Sequence, residues 1–344
     1  MTRPSLSRLL APALALSLTL PLTLTPATAQ AGVVEEALEQ HILPGFETLA
    51  QETQQLSATA AEVCDPGSVQ LQQAYGEAFD AWVAVSHLRF GPTERDNRAF
   101  ALAFWPDSRG KTPKALRALI TAEDPIAKDA AAYTSVSIAA RGFYALEFLL
   151  YDEDMQQLGS ADYRCQLTRA IAEDIATTAD AIWTDWRDSY ADKMRHPGDR
   201  YRTEAEVKQE LFKALDTGLQ ILIDMRLGRP LGTYDRPRPK RAEAYRSGRS
   251  QRHVILALEA LAPLARILSD GDADLAAELN AAFDIAVEHA SRLDDPTFAG
   301  VAEPGTRLRI EAVQQDIRKL RETIGEDLGP ALGVEAGFNA LDGD

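Results

Sequence analysis

The chain has 344 residues, with 52 acidic and 36 basic side chains and a formal net charge of −16. A protein this acidic repels nucleic acid and anionic membrane surfaces, so we expect neither as a partner. Its length exceeds the usual size of a single hydrophobic core and therefore predicts two domains.

The first 29 residues have the pattern of a secretory signal peptide. A positively charged start is followed by an apolar run over residues 9–24 and by small residues that form a cleavage site at Ala29. An overlapping alternative site ends at Ala31. The competing interpretation is a transmembrane anchor, but prolines interrupt the run, and no later stretch is long enough to span a membrane. We predict cleavage after Ala29, a periplasmic location and no membrane span in the mature protein.

Helical patterns recur along the rest of the chain. Sustained alternation of β-branched residues is hard to find, while Ala, Leu, Glu, Gln and Arg dominate. Ser68 follows an Asp-Pro-Gly stop and is the expected N-cap of the second helix. The main predicted helices cover residues 34–63, 69–89, 113–121, 127–151, 162–192, 203–227, 251–268, 272–292 and 306–328. The spacing predicts an all-α protein.

The region over residues 194–201 contains His-Pro-Gly and several charges, which is typical of a boundary. We predict two tandem antiparallel helical-bundle domains, one over residues 30–198 and one over residues 199–344.

The two cysteines, Cys64 and Cys165, both lie beside turn-like breaks. Because export places the chain in an oxidising compartment, we predict that they form a disulfide. The alternative is a pair of unpaired buried thiols.

The predicted helix over residues 127–151 contains a carboxylate in an otherwise apolar stretch. Val136, Ala139 and Phe143 begin an apolar seam at helical spacing, and Glu147 lies on its flank. A buried carboxylate must be paired, protonated or bound to a metal. Glu147 is therefore the first candidate functional residue.

Tyr144 shares a helix face with Glu147, three residues away. Carboxylate and phenolate oxygens are hard ligands that suit ferric iron, so the pair is a candidate metal site, although it needs at least one further ligand. The alternative is structural: Tyr144 hydrogen-bonded at the edge of the core and Glu147 paired with an arginine. The candidate partners are Arg89, Arg95 and Arg141, of which Arg141 lies on the far side of the predicted helix.

A second polar cluster lies near the start of a later helix. Arg246, Ser247 and Ser250 could bind an anion there, or Ser250 could simply cap the helix with the charges in solvent. The irregular segment over residues 93–112 contains Trp105, and either packs over the end of a bundle or shapes a pocket. The sequence contains no zinc-protease His-Glu-x-x-His motif, no Gly-x-Ser-x-Gly and no phosphate-binding glycine loop.

Three segments resemble the imelysin-like family. Residues 142–147, Gly-Phe-Tyr-Ala-Leu-Glu, are similar to its Gly-x-His-x-x-Glu signature, and residues 246–250 are similar to its Arg-Ser-Gly-x-Ser segment. Gly-Phe-Asn at residues 337–339 with the final Asp-Gly-Asp resembles its C-terminal ending. The resemblance covers nearly all of the mature chain, and the order of the segments is its most specific feature.

The resemblance implies a helical fold of two bundle-like domains with the signature in the first, and a link to bacterial iron uptake. It also carries a metallopeptidase label. The sequence departs from the signature where Tyr144 replaces the histidine, so that only Gly142 and Glu147 carry over and an imidazole-based metal site is lost.

We therefore expect a non-catalytic periplasmic binding protein in iron acquisition. Its ligand would be a metal ion, with iron as the candidate cofactor, or a small molecule. The alternatives are a metallopeptidase and a non-catalytic partner of another exported or outer-membrane uptake protein.

Overall fold

The computed structural model describes residues 1–2 and 32–334 of the chain. That part consists of helices and connecting turns with no strand, so the all-α prediction is confirmed. Residues 32–334 belong to one compact unit. The proposed domain boundary at residue 198 stays a prediction. Among the helices of residues 32–334, none has the length and apolar character needed to cross a membrane.

The α-helices of this part vary from one turn to seven. In chain order they are α1 (Val33–Ala37), α2 (Leu43–Glu62), α3 (Val69–Val85), α4 (Arg98–Leu102), α5 (Lys111–Ala122), α6 (Ala130–Tyr133), α7 (Gly142–Tyr151), α8 (Glu153–Gln156), α9 (Ala161–Asp185), α10 (Ala191–Arg195), α11 (Glu204–Gln220), α12 (Gly228–Leu231), α13 (Ser250–Leu268), α14 (Ala273–Ser291), α15 (Pro304–Thr323) and α16 (Gly329–Ala331).

Wide π-helical turns join several of these helices without breaking the chain direction. They cover Leu38–Ile42, Trp186–Tyr190, Ile221–Leu227 and Ile324–Leu328. The first of them joins α1 to α2, so the long helix predicted over residues 34–63 exists with one wide turn near its start. Pro44 lies in the first turn of α2, where its missing N–H costs little.

The core is built from long helices of both halves of the chain. Helix α2 packs against α3 and α9, and α14 packs between α13 and α15. Helix α13 also packs against α3, which joins the two sets of helices through a shared apolar core. Ser68 caps α3 as predicted, because its Oγ accepts a hydrogen bond from the backbone N–H of Leu71 at 3.3 Å.

The predicted disulfide is confirmed. Cys64 and Cys165 are bonded across 101 residues, with their Cα atoms 5.1 Å apart. The bond ties the chain just after α2 to α9, two helices that also pack against each other along their lengths.

The helix predicted over residues 127–151 is wrong in its first half. Helix α7 begins only at Gly142, and short turns such as Pro125–Lys128 and Ile138–Ala140 precede it. Gly142 has φ of +75°, and a Cβ atom there would lie 2.2 Å from the carbonyl oxygen of Leu102. Only glycine allows this backbone approach. The apolar seam from Val136 therefore does not run along one helix.

Candidate functional site

Helix α7 places Glu147 in the interior, where the residue is only 2% exposed. Glu147 Oε1 accepts two hydrogen bonds from Ser247, one from its backbone N at 3.0 Å and one from its hydroxyl at 2.8 Å. Burial raises the pKa of Glu147, although the Ser247 bonds act in the opposite direction. No arginine forms an ion pair with Glu147 in the described part of the chain, so the arginine-paired alternative is not observed: a serine in the segment before α13 holds this carboxylate, and Arg246 acts on it only through its charge.

Tyr144, one turn earlier on α7, is the start of a second buried network. Its hydroxyl donates to Glu243 Oε1 at 2.5 Å. The other oxygen of Glu243 accepts from Arg226 Nε at 2.6 Å and from His253 Nδ1 at 3.1 Å. The side chains of Arg226 and Glu243 are each 6% exposed, so this ion pair is almost free of water.

The directions of the pKa shifts agree with these hydrogen bonds. Burial alone would raise the pKa of Glu243, but Arg226 and His253 outweigh it and hold that pKa below its ordinary value. Burial lowers the pKa of His253, so the imidazole is neutral and donates through Nδ1. Burial and the adjacent Glu243 carboxylate raise the pKa of Tyr144 well above its usual range. Tyr144 is thus a phenol that donates.

A cavity of about 220 Å³ opens beside these two networks. Its walls come from the segment before α5, from α7, from α12 and from the segment that leads into α13. Aromatic rings form much of the wall, namely Phe104, Trp105, Tyr144, Phe148 and Tyr245. The basic side chains in the lining are Arg229, Lys240, Arg241 and Arg246, and the acidic ones are Asp107 and Glu147.

The family model for imelysin matches residues 42–324, which is most of the chain. The chain belongs to the imelysin family. No protein of curated function matches it significantly.

Two solved structures are similar in fold to this imelysin-family chain. One is an imelysin-like protein from Psychrobacter arcticum, with 18% identity and a TM-score of 0.72, covering 89% of this chain and 96% of the other. The second is a candidate iron-regulated protein A precursor from Parabacteroides distasonis, with 12% identity and a TM-score of 0.69, covering 86% and 96%. At these identities the likeness establishes the fold.

Most of the side chains predicted for the site come together. Trp105 and Arg246 line the cavity, and Ser247 holds Glu147 at its wall. Ser250 lies just behind, where its hydroxyl donates to the carbonyl of Glu243 at 2.6 Å. Ser250 is the first residue of α13 and not its cap, so that alternative is wrong. Its hydroxyl instead fixes the backbone that presents Glu243.

Arg89 does not join this site. It pairs with Glu94 and lines a different cavity, together with His87 and Phe100. The predicted cleavage at Ala29 and the C-terminal part of the resemblance lie outside the described residues.

Four important side chains were not predicted. Glu243, Arg226 and His253 come from separate segments, and no local spacing connects them. Arg229 follows a glycine and precedes a proline, a pattern that indicates only a turn. The one available signal was the basic run over residues 236–241, which ends inside the cavity wall with Lys240 and Arg241.

The described donors of the site do not by themselves fit a metal centre. No group of three or more His, Cys, Asp or Glu side chains placed to hold a metal ion occurs within residues 32–334. The Tyr144 hydroxyl, which would have to lose its proton to bind ferric iron, is committed to Glu243 as a donor. A metal role for Tyr144 and Glu147 stays a prediction that requires ligands from elsewhere.

Proposed function

We propose that this imelysin-family protein is an exported, non-catalytic binding protein that acts in iron acquisition and binds its ligand in the cavity beside Glu147. One observation carries the proposal. The two polar residues of the signature region, Tyr144 and Glu147, are committed to Glu243 and Ser247 at the wall of this cavity. Their polar groups shape a binding surface and leave little free to activate water.

Two further features support the role. The N-terminal 29 residues have the signal-peptide pattern, which supports a periplasmic location for the mature chain. A protein of the same fold carries the name of a candidate iron-regulated protein A precursor. Iron is the cargo in this proposal, either as an ion or in a chelated form, and it is not a resident catalytic group.

The proposal is tested first in the cell that makes the protein. Deleting the gene should reduce iron accumulation in iron-poor medium, and the full-length gene should restore it. Sequencing the N-terminus of the periplasmic protein should place the cleavage after Ala29. Unchanged iron accumulation in the deletion strain would contradict the role in iron acquisition.

The non-catalytic part is tested with pure protein. The mature chain should leave unfolded protein substrates intact in the presence of zinc, iron or manganese. Metal-dependent cleavage that is lost in Glu147→Gln would contradict the proposal and establish a metallopeptidase. Glu147→Gln is a suitable variant, because glutamine can still accept both hydrogen bonds from Ser247.

Direct iron binding by Tyr144 has its own signature. Ferric iron bound to a phenolate gives a visible charge-transfer band, and this band should be lost in Tyr144→Phe if Tyr144 is a ligand. The same band in wild type and variant would exclude Tyr144 as a ligand, while the cavity would remain the proposed binding site.

A further inference from the structure

The cavity beside Glu147 contains basic side chains that have no acidic partner. Arg246 donates to Asp152 at 2.9 Å and packs over the ring of Phe148. In contrast, Arg229, Lys240 and Arg241 take part in no ion pair with any carboxylate of residues 32–334, although the protein as a whole is strongly acidic. Arg229 and Arg241 line the same cavity, and burial together with the like charge of Arg241 lowers the pKa of Arg229.

Two buried polar atoms of the same lining lack hydrogen-bond partners. They are Arg229 Nε and Thr112 Oγ1, and Thr112 as a residue is only 1% exposed. Buried donors without partners are uncommon in native proteins, because each carries an uncompensated desolvation cost. Both atoms are covered by protein in this structure, so a shift of the Arg229 or Thr112 side chain would be needed for either to donate to a ligand.

The acidic side chains of the cavity do not neutralise the free cations. Both oxygens of Asp107 accept backbone N–H groups at the start of α5, from Lys111 at 2.9 Å and from Thr112 at 2.7 Å. Glu147 is committed to Ser247. The lining has four basic and two acidic side chains, so it keeps an excess of positive charge even when both carboxylates are ionised.

The walls indicate an organic anion. Arg229 lies over the ring of Trp105, with 5.7 Å between the guanidinium carbon and the ring centroid. The free cations come from two separate places, namely α12 and the segment before α13. An inorganic phosphate would leave the aromatic walls unused, whereas several carboxylates on a carbon frame can reach both places. The cavity, at about 220 Å³, is smaller than the roughly 300–1,000 Å³ typical of drug-sized ligands.

We propose that the cavity binds a compact organic polycarboxylate, with Arg229, Lys240 and Arg241 pairing with its carboxylates and Trp105 packing against its carbon frame. This inference rests on the proposed binding function and names the chemical class of its ligand. Arginine suits this role because its planar fork can donate two parallel hydrogen bonds to one carboxylate.

Citrate is the probe for the test, because it is a small tricarboxylate and also chelates ferric iron. Calorimetric titration of the mature protein should give saturable binding that weakens as salt is raised. Arg229→Gln and the double variant Lys240→Gln/Arg241→Gln should each weaken binding by about tenfold or more. Thermal unfolding of each variant shows whether it is folded at the titration temperature.

Arg236→Gln is the matched control. It removes the same charge from the basic segment that contains Lys240 and Arg241, which are also exposed, but Arg236 does not line the cavity. The affinity of the Arg236→Gln variant for citrate should stay within about twofold of the wild-type value. If Arg236→Gln and Arg229→Gln lose citrate affinity equally, the loss is explained by the change in net charge alone. That result would overturn the cavity as the citrate-binding site. Inorganic phosphate that binds as tightly as citrate at equal ionic strength would overturn the polycarboxylate class.

Ferric citrate separates this inference from the proposed function. In one outcome, citrate binding depends on Arg229, but ferric citrate binds no better than citrate and cells without the gene take up iron normally. The polycarboxylate ligand class is then supported, and the role in iron acquisition is wrong. If iron uptake depends on the gene but the ferric complex binds equally to wild type and to the Arg229 and Lys240/Arg241 variants, the iron role stands and the ligand class fails. No citrate binding at all overturns the ligand class.

Discussion

The buried network around Glu243 and the rim of the adjacent cavity use arginine and tyrosine side chains in opposite ways. The rim is formed by Arg229, Lys240, Arg241 and Tyr245. Arg226 and Arg229 lie three residues apart in one continuous helical run. Arg226 donates to Glu243 inside the protein, whereas Arg229 faces the cavity without an acidic partner. The difference indicates that an arginine with a buried carboxylate partner stabilises the fold, whereas an arginine without such a partner is available to bind a ligand.

Exchange of each arginine for methionine is the sharpest way to break this comparison. Arg226→Met should lower the free energy of unfolding by about 3–5 kcal/mol, because it leaves the Glu243 carboxylate buried without its countercharge. Arg229→Met should change it by less than about 1 kcal/mol, because no pair is broken and an unpartnered donor is removed. Urea unfolding of the two variants measures both values. Equal losses would show that Arg229 also has a structural partner.

The same contrast applies to two glycines in the left-handed region. Gly142, at the start of α7, has φ of +75° and lies against the Leu102 carbonyl. Gly110, at the cavity, has φ of +62°, and a Cβ atom added there would come no closer than 4.0 Å to any other group, the nearest being the side chain of Pro113. Gly142→Ala should cost at least about 3 kcal/mol, from strain and steric overlap. Gly110→Ala should cost only the backbone strain, about 1–2 kcal/mol. Thermal or urea unfolding measures the difference, and similar costs would mean that the chain near Leu102 moves freely.

Much of the fold and part of the site could be predicted from the sequence. Apolar spacing identified the long helices, and the family segments identified Glu147 and Ser247, which are in contact. The early start of the central helix was wrong because spacing contains no information on the Leu102 carbonyl that confines Gly142. The Arg226–Glu243 pair was missed for a similar reason: only the tertiary packing brings the two side chains together.

Lowering the pH should protonate buried histidines but leave the charge of the rim unchanged, because the arginines and the lysine of the rim keep their charge below neutral pH. His41 and His87 share a hydrogen bond between their Nε2 atoms, 2.8 Å apart, and one of those atoms must be unprotonated. Burial lowers the pKa of His41 to about 4. Because the unfolded chain binds this proton more readily, stability is full above about pH 6.5 and falls as the pH drops towards 4.

The expected loss over this range is about 2 kcal/mol, measured by urea unfolding at pH 7 and at pH 4.5. His41→Gln should remove only its own share of the dependence, because burial also lowers the pKa of His87 and of His253. Glu243, whose pKa lies below its ordinary value, loses its contribution only at lower pH, so it does not confuse the result. Stability that is constant from pH 7 to 4.5 would contradict the buried neutral pair.

The smallest expected effect compares two tyrosine hydroxyls, one in the network and one at the rim. Tyr144 donates to the buried Glu243 carboxylate, so Tyr144→Phe should cost about 1–2 kcal/mol. The hydroxyl of Tyr245 has no hydrogen-bond partner within the described part of the chain, so Tyr245→Phe should cost less than about 0.5 kcal/mol. If Tyr144→Phe is neutral by urea unfolding, the phenol is not committed to Glu243 in solution. Tyr144 would then be free to bind a ligand, and it would belong with the binding residues of the cavity and not with the structural network around Glu243.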